Sequence, residues 1–357
     1  MWSVIAVILV LGGLIFFHEL GHFFFARLFG VGVKVFSLGF GPKLFGWKRG
    51  LTEYRLSALP LGGYVSMVGE RPGEDLPPGF SPRHSFTGRP AWQRMIIIAA
   101  GPLANFVLAV AIIYGLILAQ GVPTPVPLVA EVVAGSPAEA AGLKAGDRIV
   151  FLDGQEVTNS GWDYVIETIR GGGEVAHQLT ILRGEERLSL SITPRITLEK
   201  NVFGEEIPVP LIGIRASVEP VAMDPASAFP AAVRSTYQLT AVIVTGLVKM
   251  IERIIPLDSV GGPIMIVQEI YKQSQEGLYQ VLYLAAFISV NLGFLNILPI
   301  PVLDGGHILF CLVELITRRP LNERLQRIAI HIGLAALFLL MALAVFNDLR
   351  RLISTPS

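Results

Sequence analysis

The chain has 357 residues, 52% of them hydrophobic and only 16% charged, where ordinary soluble domains carry about 25% charged residues. Its 28 basic side chains balance 28 acidic ones, which leaves no basic field for a nucleic-acid partner. One cysteine, Cys311, excludes an intramolecular disulfide, and the composition is that of a membrane protein with a soluble insert.

Val4 to Ala26 is an apolar run of 23 residues. At 1.5 Å per residue it makes about 34 Å of helix, enough to cross a bilayer core. Met1-Trp2-Ser3 lacks the positive charge of a signal peptide and the run is too long for one, so a retained transmembrane helix is expected. Within it stands His18-Glu19-Leu20-Gly21-His22. On a helix the two imidazoles share a face. That is the spacing at which two neutral histidines bind one Zn²⁺, and Glu19 is placed to act as general base on water. Two merely packed histidines are a poor alternative. These groups lie among Phe16, Phe17, Phe23, Phe24 and Phe25, where unpaired polar burial is costly.

From Arg27 to Arg94 ten basic residues face four acidic ones, which marks the segment as cytoplasmic and the N-terminus as outside. Val33 to Leu38 and Glu53 to Ala58 alternate like strands around a turn at Trp47 to Gly50, and Arg71 to Pro90, rich in Pro and Gly, reads as loop. Met95 to Ala119 is a second membrane-length run, interrupted by Gly101-Pro102-Leu103-Ala104-Asn105-Phe106, whose small residues permit close helix approach. Asn105 either pairs with a neighbouring helix or faces the site.

Pro123, Pro125 and Pro127 read as a linker into a soluble module at about Leu128 to Pro194. Leu128 to Val133 is a strand. Ser136 caps a short helix with Pro137 at its first position and Gly142 at its end. Asp147 to Leu152 is a strand turning at Asp153-Gly154. Trp162 to Arg170 is an amphipathic helix, and Val175 to Leu182 pairs with Leu188 to Thr193. Ile196 to Pro230 reads as an extended connector. Ser235 to Val248, only 14 residues, is expected as an interfacial helix.

Val281 to Leu298 is a third span, carrying Ser289, Asn291 and Asn296, and it runs into Pro299-Ile300-Pro301-Val302-Leu303-Asp304-Gly305-Gly306-His307. The prolines disrupt regular helix, and irregular backbone at membrane depth is tolerated only where it is buried in protein or lines a cavity. An aspartate just beyond such a break is well placed to turn toward a metal. Arg318, Arg319, Arg324 and Arg327 mark the next cytoplasmic segment, and Ile328 to Phe346 is a fourth span returning outward. His331 within it has no partner spacing and reads as structural. Catalytic zinc takes three protein ligands and one open position. With His18 and His22 as two of them, Asp304, His307, Cys311 and Glu314 are candidates for the third.

The run Gly135-Ser136-Pro137-Ala138-Glu139-Ala140-Ala141-Gly142-Leu143-Lys144-Ala145-Gly146-Asp147 resembles bacterial PDZ domains, which implies a groove that takes an extended peptide by strand addition. Together with His18 to His22, Gly101 to Phe106 and Asn296 to Gly306, it makes the whole chain resemble the site-2 protease family, in the bacterial branch of the regulator of sigma-E protease. The resemblance implies a Zn²⁺-dependent intramembrane endopeptidase with Asp304 as third ligand and Glu19 as base. It also implies substrate handling by Asn291 and Asn296. Some members of the family carry two PDZ domains, whereas this chain shows one such run.

The expected fold is a polytopic α-helical membrane protein of about four transmembrane helices. It has a cytoplasmic-side β-hairpin loop and an inserted α+β PDZ domain. The expected domains are residues 1–122 (first membrane half), 123–196 (PDZ), 197–275 (connector with an interfacial helix) and 276–357 (second membrane half). The hairpin residues Gly62, Gly63 and Tyr64 join the two asparagines as expected substrate contacts, because a transmembrane substrate must be unwound before its carbonyls are reachable. The expected location is the inner membrane of a bacterium, with the PDZ domain outside and the active site toward the cytoplasm. The partners are a transmembrane protein or peptide substrate (an anti-sigma factor or signal-peptide remnant, in regulated intramembrane proteolysis), the lipid bilayer and a possible PDZ peptide, with no nucleic acid. A tethered soluble-type zinc peptidase would place its metal helix outside the membrane. A metal transporter would need more spans with paired polar residues and has no use for a PDZ insert. An inactive PDZ scaffold would have lost Glu19 or Asp304.

Overall fold

A computed structural model describes residues 2–70, 74–158, 161–319 and 321–354, apart from the side chains of Pro60 and Leu61. The chain divides into two compact units. The first holds residues 1–116, 229–245 and 256–357, and the second holds residues 117–228 and 246–255.

The first unit opens with α1 (Trp2–Leu28), which stops where Gly30 turns to a positive φ of 71°. The strands β1 (Val33–Arg49) and β2 (Thr52–Met67) form an antiparallel ribbon. Both are longer than the alternation suggested, because bulged pairing lets the ribbon double back. Val35 to Leu38 pair with Glu53 to Leu56 on one side and with Gly63 to Ser66 on the other. Phe36 stands edge-on to both Phe16 and Phe23 of α1, so the aromatic face of α1 is consumed in holding the ribbon. Arg71 lies outside the described residues, and the rest of the expected loop carries one short 3-10 turn at Pro82–His84. The next helix, α2 (Ala91–Gln120), continues through Pro102, so the expected interruption is a proline inside a helix rather than a break.

The second unit follows with β3 (Val122–Val132), α3 (Pro137–Ala140), β4 (Arg148–Leu152), β5 (Gln155–Glu156), α4 (Trp162–Gly171), β6 (His177–Arg183), β7 (Glu186–Ile192), β8 (Arg195–Lys200), β9 (Glu206–Leu211) and β10 (Ile214–Val221). One sheet runs in the order β10-β3-β4-β6-β7, with β5 on β4, and β8 pairs with β9. Ile149, Leu152, Leu179 and Ile181 are fully buried at its centre, with Trp162, Val165 and Ile169 of α4 packed over them. Ser136 caps α3 through Glu139 N–H, with Pro137 in first position, as the sequence suggests. The proline linker is corrected. Pro123 and Pro125 lie in β3 opposite Pro220 and Val218 of β10. Alternate prolines put all their missing donors on one edge of a strand, and β3 meets β4 only at Leu128 opposite Arg148. The connector is corrected too, because its residues supply β8, β9 and β10.

The helix α5 (Pro225–Ile251) has 27 residues instead of the expected 14, because Asp224 caps it through Ala226 and Ser227 N–H with Pro225 in first position. The chain closes with α6 (Pro263–Glu276), α7 (Leu278–Ile297), α8 (Asp304–Thr317) and α9 (Glu323–Ser354). Among the described residues five helices are long and apolar enough to cross a membrane: α1, α2, α5, α7 and α9. In the first unit Ala6, Val10 and Leu14 of α1 pack with Ile270 of α6 and Val281 and Ala285 of α7, flanked by Leu108 and Ile112 of α2.

Candidate metal centre

Three side chains converge at the crossing of α1, α2 and the start of α8. His18 Nε2 and His22 Nε2 lie 3.3 Å apart, and they lie 3.2 and 3.5 Å from Asp304 Oδ2. Among the described residues this is the group of histidine and carboxylate atoms arranged to hold a metal ion. Two nitrogens and an oxygen bound at 2.0–2.1 Å to one tetrahedral ion sit about 3.4 Å from one another. The observed triangle has that size. Asp304 Oδ2 is buried without a hydrogen-bond donor, an orphaned acceptor that a bound cation would satisfy. The residues fit zinc.

The backbone makes this convergence possible at specific glycines. A Cβ on Gly21 would collide with the Ala100 carbonyl of α2, and a Cβ on Gly101 would collide with the His22 ring. Gly21 and Gly101 therefore let α1 and α2 touch at the height of the histidines. His22 Nδ1 donates to the Ile97 carbonyl at 2.9 Å, which turns the Nε2 lone pair toward the site. Pro102 removes an amide donor from this turn of α2 and loosens the carbonyls beneath it. Past α7, the Pro299-Ile300-Pro301 break seats Asp304 in the first turn of α8. Cβ atoms on Gly305 or Gly306 would strike the carbonyls of Ile297, Leu298 and Ile300, so the two glycines are what allow the helix to start tightly against the break.

Of the four candidates for a third ligand only Asp304 reaches the histidines. His307 packs edge-on against Phe310, Cys311 is buried, and Glu314 is paired with Arg94 at 2.5 Å. His331, on α9, donates to the Arg327 carbonyl four residues earlier. Glu19 stands beside the triad with the Val65 amide against its carboxyl group, and a Cβ on Gly63 would lie 3.1 Å from Glu19 Cγ. Gly63 thus brings the ribbon edge onto Glu19. Gly62 presses on the Phe40 ring, which Tyr64 stacks against at 6.1 Å. Asn291 and Asn296 are half-buried on α7, with no side-chain hydrogen bond among the described residues. Beside the ribbon a cavity of about 380 Å³ is lined by Phe16, Leu20 and Phe23 together with Phe36, Trp47 and Tyr54.

Asn105 is fully buried, with its amide 3.0 Å from His18 Nδ1 and its carbonyl accepting from Ser289 Oγ at 2.8 Å. The sequence left its role open. The Ile97 carbonyl and the paired glycines were not legible as site elements, since a carbonyl carries no side-chain signal and the glycines matter only once two helices cross.

Residues 6–340 match the model of peptidase family M50. The chain is 30% identical to the regulator of sigma-W protease RasP of Bacillus subtilis, over 98% of this chain and 99% of that one. It is 31% identical to the zinc metalloprotease RasP of Geobacillus kaustophilus, over 98% of each chain. It is 30% identical to the zinc metalloprotease RasP of Bacillus licheniformis, over 98% of this chain and 99% of that one. With a family match across almost its full length, and a triangle of His18, His22 and Asp304 sized to hold a metal ion, the chain belongs to peptidase family M50.

Proposed function

We propose that this protein is a zinc-dependent endopeptidase that hydrolyses a peptide bond within or near the transmembrane segment of a membrane-anchored substrate. The observation that carries the reading is the triangle of His18, His22 and Asp304, set in apolar helix with Glu19 beside it. Zinc, when bound, supplies Lewis-acid polarisation of the scissile carbonyl and acidifies water. Glu19 accepts the proton of the attacking water and returns it to the leaving amide nitrogen. The ribbon edge at Gly62, Gly63 and Tyr64 holds the unwound substrate as an added strand, and the unpartnered amides of Asn291 and Asn296 take up substrate backbone groups. The apolar cavity beside the ribbon suits the side chains of a membrane segment.

The segment from β3 to β7 serves as a PDZ domain, its sheet completed by β10 from beyond the expected boundary at 196, a reading supported by the order of strands and helices from β3 to β7 and the capped turn at Ser136. Its groove takes an extended peptide. Residues 1–122 and 276–357 are the two membrane halves, joined through 197–275. The protein sits in the inner membrane with its N-terminus and PDZ domain outside, and it acts in regulated proteolysis of membrane proteins such as an anti-sigma factor.

Four helices cross and α5 lies along the interface. His18, in the later half of α1, meets Asp304 beyond the end of α7, while Ala6, Val10 and Leu14 from the earlier half share one core cluster with Val281 and Ala285 near the start of α7. So α1 and α7 run the same way, and α2 runs opposite to α1. An even number of crossings must therefore separate α2 from α7. The 14-residue α6 reaches only about 21 Å, too short for one, so α5 cannot cross alone.

The test is cleavage of a model single-span substrate by purified protein in detergent, with zinc assayed in the wild type and in Glu19→Gln. The wild type is expected to cut within the span, and Glu19→Gln to keep zinc while losing cleavage. A Glu19→Gln protein that cuts at the wild-type rate removes the mechanism.

A further inference from the structure

Once Nε2 of His18 faces the metal, the ring's remaining proton must sit on Nδ1. For His22 the acceptor of that proton is the Ile97 carbonyl, at 2.9 Å. For His18 the polar group at hydrogen-bond distance from Nδ1 is the Asn105 amide, at 3.0 Å. An amide has two ends of nearly equal shape, and the hydrogen-bond network decides which faces inward. With its nitrogen toward His18, the Asn105 Oδ1 is buried without a donor, and His18 Nδ1 is forced to be an acceptor. The proton would then stand on Nε2, pointing into the triangle. With the oxygen toward His18, Oδ1 gains the Nδ1 proton and Nε2 is left with its lone pair free.

We propose that Asn105 is a positioning residue of the metal centre: its side-chain oxygen accepts the His18 Nδ1 proton, fixing the ring's tautomer and aim. The inference rests on the zinc reading above. Two further observations favour it over a merely structural role. Asn105 is fully buried, as is Ser289, and the Ser289 hydroxyl holds the Asn105 main-chain carbonyl at 2.8 Å. The side chain is thus left to His18, while α7 braces the backbone that carries it. Its place on α2 also puts the two histidine supports, Ile97 and Asn105, on one helix, two turns apart, each facing one ring of the pair on α1.

The experiment compares full-length wild type, Asn105→Leu, Asn105→Ala and Asn105→Asp in detergent, measuring zinc affinity by competition with a chelator and thermal unfolding of the zinc-free proteins. Asn105→Leu keeps the shape and loses the acceptor, Asn105→Ala leaves space, and Asn105→Asp keeps an acceptor in the same place. Both acceptor-less variants are expected to bind zinc 10–100-fold more weakly. Asn105→Asp is expected to bind at least as tightly as wild type, with a weakened visible spectrum for the cobalt-loaded form only in the first two. Wild-type affinity in Asn105→Leu or Asn105→Ala overturns the proposal, as does an Asn105→Asp protein as weak as those two. A wild type that binds no stoichiometric zinc overturns the zinc reading itself, an outcome visible before any variant is compared. Should Asn105→Leu fail to fold, Asn105→Ala against Asn105→Asp decides the matter alone.

Discussion

His18 Nε2 and Asp304 Oδ2 lie 3.2 Å apart although most of the chain separates them, and the second unit's residues all fall in that interval. The two halves of the metal triangle are therefore assembled by folding of the membrane unit. Loss of any one ligand should be felt as loss of metal. Asp304→Ala is expected to leave two histidines that bind zinc at least 100-fold more weakly, since a catalytic site draws its affinity from three ligands. Zinc content by atomic absorption after dialysis against a mild chelator checks this; retention of one equivalent by Asp304→Ala sinks the assignment.

Gly101 gives a sharper test, because it touches no metal. A Cβ there collides with the His22 ring, and α2 cannot retreat without uncovering Ile97 and the close contact at Gly21. Gly101→Ala is expected to cost about 1–3 kcal/mol in overpacking and to lower zinc affinity by displacing the His22 ring. Gly115, further along α2, has open space where a Cβ would go, so Gly115→Ala is the control and should leave zinc affinity unchanged. Equal affinities in the two variants would show that the helix crossing is more tolerant than its geometry implies.

The His18–His22 spacing and the neighbouring glutamate were legible, because each is a local pattern whose chemistry depends on side chains alone, whereas Asp304 stood among four candidates until the family resemblance singled it out. The short helix capped by Ser136 was legible for the same reason. What escaped depended on where another segment lies. Pro123 and Pro125 look like linker until β10 is known to pair with the edge that retains its donors. The early start of α5 was hidden because the extended connector was drawn through to Pro230, although Pro225 is at the one position where a helix welcomes proline. Gly101 was legible as a point of close helix approach, but its contact with the His22 ring, and the part Gly21 plays opposite it, depended on which helix crosses there.

In the second unit Asp147 is fully buried. It accepts from Arg183 Nε at 2.7 Å and Nη2 at 2.8 Å and from Lys144 N–H at 2.7 Å. Burial pushes its carboxyl upward, but the Arg183 guanidinium and the Lys144 amide outweigh that and hold it below the ordinary carboxylate value. A depressed native pKa means stability that is complete above the unfolded value, about 3.9, and is lost as pH falls through the lower native value. Asp147→Ala is expected to cost about 3 kcal/mol at neutral pH and to flatten the unit's acid sensitivity below pH about 4. Limited proteolysis across a pH series reads both; an acid profile identical to wild type would remove Asp147 as the titrating group.

A helix α5 that lies along the interface has both of its ends on one side of the membrane. At its N-terminal side Phe229 packs edge-on against Tyr114 near the end of α2. After its C-terminal end, the Leu257 and Val260 carbonyls accept from Asn347 near the end of α9, and Asp348 accepts from the Gly262, Ile264 and Met265 amides at the start of α6. If α2 and α9 both end outside, both ends of α5 are outside, and the helix lies in the interface with its apolar side in lipid. Cys311 is buried and is the only native cysteine, so a Cys311→Ser background supports single-cysteine probes. Ala222→Cys and Glu252→Cys should both react with a membrane-impermeant maleimide added outside intact cells, whereas Arg318→Cys should react only after the membrane is opened. Labelling of Ala222→Cys and Glu252→Cys from opposite sides would make α5 a crossing helix. It would then turn α7 against α1, a direction incompatible with Asp304 meeting His18, so that single result would also break the metal triangle.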